Sequence, residues 1–144
     1  MDNALLTVYR TTDYRVRLAP GGWASIHVDA ALPAPLLALI GNRSWAFITA
    51  WNPGSQAQPR ARNHAAQQNL IAALRELPRT VSIRPGLGVG VDWREPSFFV
   101  VGPDLNDIDR LAQQFQQFAY VHGLGKGAAR LRLTSDRAPH GQAG

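Results

Sequence analysis

Residues 44–56 read Ser44-Trp-Ala-Phe-Ile-Thr-Ala-Trp51-Asn-Pro-Gly-Ser-Gln56. The first eight are apolar on both faces and too few for a stable helix, the pattern of a strand buried at the centre of a sheet. Asn52-Pro53-Gly54-Ser55 ends that strand, because proline cannot donate to a ladder and glycine permits a turn. A helix is predicted next, from Arg60 to Leu77. Ala66, Leu70, Ala73, Leu74 and Leu77 fall at helical spacing along it, and Pro78 closes it.

The flanks extend this layer. Leu6 to Leu18 is rich in β-branched and aromatic residues and partly alternates, so it reads as a strand. Pro20-Gly21-Gly22 turns the chain into a second alternating run, Trp23 to Val28, and the two should form an antiparallel hairpin. Pro33 to Ile40 is a short apolar helix stopped by Gly41-Asn42. Thr80 to Ile83 is a short strand, Pro85 to Asp92 a glycine-rich loop, and Pro96 to Gly102 a second buried strand. Asp104 or Asn106 can cap a helix carrying Ile108, Leu111, Ala112, Phe115 and Ala119. Gly123 to Gly127 then connects to a last strand, Ala129 to Leu133. The predicted order is β-β-α-β-α-β-β-α-β. It describes an α+β domain over residues 1–133, a mixed β-sheet covered by about three helices. Residues 134–144 have no apolar face and are expected to be a flexible C-terminal tail.

Composition narrows the function classes. The chain has 144 residues, 45% of them hydrophobic, enough for one folded domain. There is no apolar run long enough to span a membrane. The start lacks a basic segment followed by an apolar one, so no secretion signal is read and a cytoplasmic location is expected. Cysteine is absent, which removes disulfides, thiolate metal sites and thiol nucleophiles. The net charge of +5 invites a nucleic-acid reading. However, Lys126, Arg130, Arg132 and Arg137 against Asp136 supply +3 of it within residues 125–144. No element interleaves arginine with aromatics, so nucleic acid is not the expected partner.

Two glycine clusters resemble phosphate loops without their context. Gly86, Gly88 and Gly90 have the wrong spacing for a dinucleotide fingerprint, and Gly123 to Gly127 lacks the P-loop gap and its Lys-Ser/Thr pair. Each leads into a strand rather than a helix, so turn chemistry explains both and no cofactor is expected. His27, His64, His122 and His140 are scattered, with no pair at metal-ligand spacing, so no metal is expected. Ser55 lacks a nucleophile elbow.

The candidate site is the turn after the central strand. Trp51 offers a flat contact surface, while Asn52, Ser55 and nearby backbone N–H groups can bind a polar ligand; bracing of the turn is the competing role for Asn52. Asn63 lies within roughly 20° of Leu70 on the apolar face of its helix. It either braces the Asn-Pro turn or meets a ligand held there. Glu95, in Trp93-Arg-Glu-Pro-Ser97, is one of two glutamates. It is a candidate general acid or base if desolvation raises its pKa, or it pairs with an arginine and holds the loop.

Taken together, Tyr9-Arg-x-Thr-x-Tyr14, Phe47-Ile-Thr-Ala-Trp-Asn-Pro-x-Ser-Gln56 and Asn63 resemble a bacterial family, domain of unknown function 3293. Trp93-x-Glu-Pro-Ser-Phe-Phe-Val100 and Phe115-x-Gln-x-Ala119 extend the resemblance, which runs from about residue 9 to 133. Phe118 departs from the Asn that usually follows that Gln. The resemblance implies one fold unit and a candidate site that includes Trp93 and Gln117, and it names no reaction. Three readings follow. The first is a binding module for a small polar ligand or a protein partner. The second is a metal-independent hydrolase or transferase with Glu95 as acid/base. The third is nucleic-acid binding through the basic surface.

Overall fold

The chain begins on a helix where the sequence suggested a strand. In the computed structural model, which describes residues 2–134, α1 spans Asn3–Thr11. The Asp2 side chain caps it by accepting from the Leu5 amide at 2.8 Å. The β-branched threonines are accommodated because the Thr7 and Thr11 hydroxyls donate to the carbonyls of Asn3 and Thr7, one turn back. The expected strand is confined to β1, Asp13–Arg17, which pairs antiparallel with β2, Trp23–Ile26.

The remaining order is α2 (Ala34–Ile40), β3 (Ser44–Ile48), a 3₁₀ turn at Pro53–Ser55, α3 (Arg60–Glu76), β4 (Ser82–Val89), β5 (Arg94–Val101), α4 (Leu105–Gln114), β6 (Ala119–Leu124) and β7 (Arg130–Leu133). The α+β class holds, with four helices on one seven-stranded sheet in the order β2-β1-β4-β5-β3-β6-β7. Every pairing is antiparallel, so no parallel component of a mixed sheet is present among the described residues. The expected loop at Pro85 to Asp92 is largely strand, because Gly86, Leu87 and Gly88 pair with Ser97, Pro96 and Glu95. The last predicted helix stops at Gln114, and Ala119 belongs to β6 rather than to it. Gln116 takes a left-handed φ of 56° between the two, which a continuing helix cannot accommodate. Beyond Thr134, the expected flexible tail lies outside the described residues.

β3 is the central strand its sequence implies, flanked by β5 and β6. Its side chains divide between two cores. Trp45 and Phe47 pack with Tyr14, Val16, Phe99 and the α2 residues Leu36 and Ile40 on one face. Ala46 and Ile48 pack with Leu70 and Leu74 of α3 and Ile108 of α4 on the other. Burial of these large side chains stabilises by roughly 1.5–3 kcal/mol each before entropy is counted. Two aromatics lie directly over glycines. A Cβ at Gly123 would stand 2.5 Å from the Trp45 indole nitrogen, and one at Gly86 would stand 2.7 Å from the Phe47 ring. The cluster containing α2 gives way to a cavity on the same sheet face, under α1.

Candidate functional site

The strand register creates the cavity. Glu95 of β5 stands opposite Gly88 of β4, and Gly88 stands opposite Tyr14 of β1. Directly opposed side chains normally fill such a row. Here the middle position has no side chain, and Phe47 covers the glycine one rung further along. The space left is about 180 Å³. Leu5, Val8 and Tyr9 of α1, Thr12 just after that helix, and Trp93 line it. Trp93 lies against Gly90, where a Cβ would be 2.0 Å from its indole nitrogen.

Six of the seven residues named from the sequence meet here: Trp51, Asn52, Ser55, Trp93, Glu95 and Gln117 all line the cavity. They come from the turn after β3, from β5 and its preceding turn, and from the link between α4 and β6. Asn63 does not line it. It is 2% exposed, and its amide is spent on the turn. Asn63 Oδ1 accepts from the Asn52 backbone N–H at 2.8 Å and from Gln58 Nε2 at 2.7 Å, while its Nδ2 donates to Asn52 Oδ1 at 2.8 Å.

These bonds hold an unusual backbone. Asn52 (φ 46°), Gly54 (φ 65°) and Ser55 (φ 59°) all take left-handed conformations. Non-glycine residues in that region cost on the order of 1–3 kcal/mol each and persist only where their surroundings determine them. Gln117 ties the turn to the next element, with Nε2 donating to the Trp51 carbonyl at 3.3 Å and to the Phe115 carbonyl at 3.2 Å. The Gly54 amide donates to the Gln116 carbonyl at 2.6 Å.

Sequence reasoning missed Gln67. This α3 residue is 6% exposed; its Oε1 accepts from the Ala50 amide at 2.6 Å, and its Nε2 donates to the Pro96 carbonyl at 3.0 Å. It clamps the end of β3 to β5, next to Thr49, whose hydroxyl also donates to Pro96 O at 2.7 Å. Also missed were Tyr9, Tyr14, Thr49 and Ser97, which line the cavity. Their signal was present in the Tyr-Arg-x-Thr-x-Tyr element, but reading that run as a strand hid the helix that brings Tyr9 over the site.

The electrostatics centre on one group. Burial pushes the Glu95 carboxyl up to about 7, and it has no ion-pair or hydrogen-bond partner among the described residues. Burial also raises the Tyr9 phenol, opposed by a hydrogen bond with Ser55 and reinforced by the charge of Glu95. Tyr14 is raised as well, chiefly by burial; its hydroxyl donates to the Tyr9 carbonyl at 2.5 Å. No Lys, Arg or His lines this space. Among the described residues no three His, Asp or Glu side chains form a metal site, and no helix is long and apolar enough to cross a membrane.

A family described as protein of unknown function (DUF3293) matches residues 48–120. The chain belongs to that family. The DUF3293 match contains every residue named for the site from the sequence, from Trp51 to Gln117, while Tyr9 and Tyr14 fall before it. No curated protein and no solved structure matches the chain.

Proposed function

We propose that this DUF3293 protein is a binding module for a small polar molecule, held in the cavity between α1 and the sheet. The convergence of six side chains from distant segments on one space around an unpartnered carboxyl carries this reading. A ligand site is expected to combine apolar walls with a few placed polar groups. At about 180 Å³ the space is smaller than the roughly 300–1,000 Å³ of sites for drug-sized compounds, so the ligand is small. The test is a thermal-shift screen against compounds sorted by charge and size. A true ligand at a hundred times its Kd adds about 2.7 kcal/mol of stability. Failure of every small compound to stabilise the folded protein removes the reading.

A second reading rests on Glu95 alone. A carboxyl near 7 is populated as acid and as base at neutral pH, the condition for proton transfer during hydrolysis or group transfer. Asn52 is suited to orient substrate, since its Oδ1 is taken by Asn63 and its Nδ2 remains a donor. No nucleophile with an oriented base stands beside them, which places this reading second. Turnover of chromogenic esters or phosphoesters that disappears in Glu95→Gln would reverse the order.

A further inference from the structure

The cavity has walls of a particular kind. Tyr9 and Tyr14 line it, together with Phe47, Trp51 and Trp93. Aromatic faces carry negative quadrupole potential and attract cations. The one carboxylate among these walls is Glu95, and no basic side chain shares the space with it. In a chain with 15 basic residues, many carboxylates have an arginine partner: Asp13, Asp29, Asp104, Asp107 and Asp109 each do. Glu95 is left without one in the place where a counter-charge would be most favourable.

Resting on the binding reading above, we propose that the ligand is a small organic monocation, an amine or a quaternary ammonium compound. Its nitrogen sits against the Glu95 carboxylate and the aromatic walls. An anion would meet a like charge whenever Glu95 is ionised and no donor cation, and a neutral ligand would leave the carboxyl either protonated or unpaired. A cation alone pairs with the ionised Glu95 carboxylate and uses the aromatic faces as well. The other titratable groups beside this space are the phenols Tyr9 of α1 and Tyr14 of β1, while the Tyr120 phenol of β6 packs into the core on the opposite sheet face and donates to Asp109 at 2.6 Å. All three phenols are raised above their ordinary values, so none competes with Glu95 near neutral pH.

The experiment uses three probes of one shape: choline, its neutral carbon isostere 3,3-dimethyl-1-butanol, and the anion 3,3-dimethylbutanoate. Each is titrated into the full chain by calorimetry and by tryptophan fluorescence. Choline should bind at least fivefold more tightly than the alcohol at pH 8.5, and the anion should not bind. At pH 5.5, where Glu95 holds its proton, choline should weaken to the affinity of the alcohol, which is itself unaffected. In Glu95→Gln the preference for choline should vanish, with circular dichroism confirming the fold. Gly88→Ala keeps the carboxyl and fills the space, and should weaken choline and alcohol alike. A preference below fivefold, or tighter binding of the anion, overturns the cation inference and leaves the binding module standing. Silence from all three probes overturns the inference as well, and the wider thermal-shift screen then decides the module by itself.

Discussion

Glu95→Gln should make the protein more stable at alkaline pH, although it alters the residue at the heart of the site. The carboxyl titrates near 4.5 in the unfolded chain and near 7 in the fold. Below pH 4.5 both states hold the proton and Glu95 contributes no pH dependence. Between the two values the folded state binds more protons than the unfolded state, so stability falls as pH rises. At 1.36 kcal/mol per unit, the loss reaches about 3 kcal/mol and levels off above pH 7. Glutamine keeps the shape and never ionises, so it escapes this loss. Urea melts at pH 5 and 8.5 should therefore show wild type and variant close together at the lower pH. At the higher pH the variant should lead by about 3 kcal/mol, the upper bound if water reaches part of the carboxyl. Other groups change stability with pH in both proteins and cancel in the difference. A gap that is independent of pH, or a wild type favoured at pH 8.5, would refute the claim that the carboxyl is desolvated and unpartnered.

Gly86→Ala and Gly88→Ala should behave oppositely despite lying two residues apart. A Cβ at Gly86 meets Phe47 at 2.7 Å and should cost about 1–3 kcal/mol in a thermal melt, whereas at Gly88 the nearest atoms, Thr12 Cγ2 and Trp93 Cζ3, are 3.7 Å away and stability should hold or rise slightly. Asn63→Leu strands the Asn52 amide and the Gln58 carboxamide, so a loss of about 2–3 kcal/mol is expected by urea denaturation; a variant as stable as wild type would mean that Asn63 does not brace the turn. Asp109→Ala should cost about 3–5 kcal/mol, because Arg132, which bonds it through two nitrogens at 2.8 Å, and the Tyr120 hydroxyl lose a shared buried acceptor.

How much of this was legible depended on whether the deciding physics is local. The turn at Asn52-Pro53 and the two-sided apolar character of Ser44 to Ile48 are local signals, and they located the strand and the turn that borders the cavity. Asn63 could be placed on the apolar face of α3 by helical periodicity alone. The first segment misled because Thr7, Val8 and Tyr9 favour strands in isolation, whereas Asp2 supplies a cap and the cavity below supplies apolar contact. The gap beside Glu95 was illegible for a different reason. It depends on a register across three strands that sets Gly88 between Glu95 and Tyr14, and pattern reading along one strand cannot show which residue faces which. The same limit hid Gln67, whose partners lie 17 and 29 positions away.

The two outermost strands, β2 and β7, are only four residues long, and β7 reads Arg-Leu-Arg-Leu. Arg132 turns inward to Asp109, while Arg130 pairs at the surface with Asp29 and stays 60% exposed. An open sheet margin is a template for any passing strand, and short margins bearing fixed positive charge are how soluble proteins discourage such recruitment. The basic residues at the end of the described chain, which on composition alone suggest affinity for phosphates, thus lie along the margin of the sheet, where such charge is expected to disfavour edge-to-edge pairing. Neutralising Arg130 leaves the cavity untouched, and its consequence belongs to colloidal behaviour: faster aggregation from the partly unfolded state when the protein is held near its melting temperature.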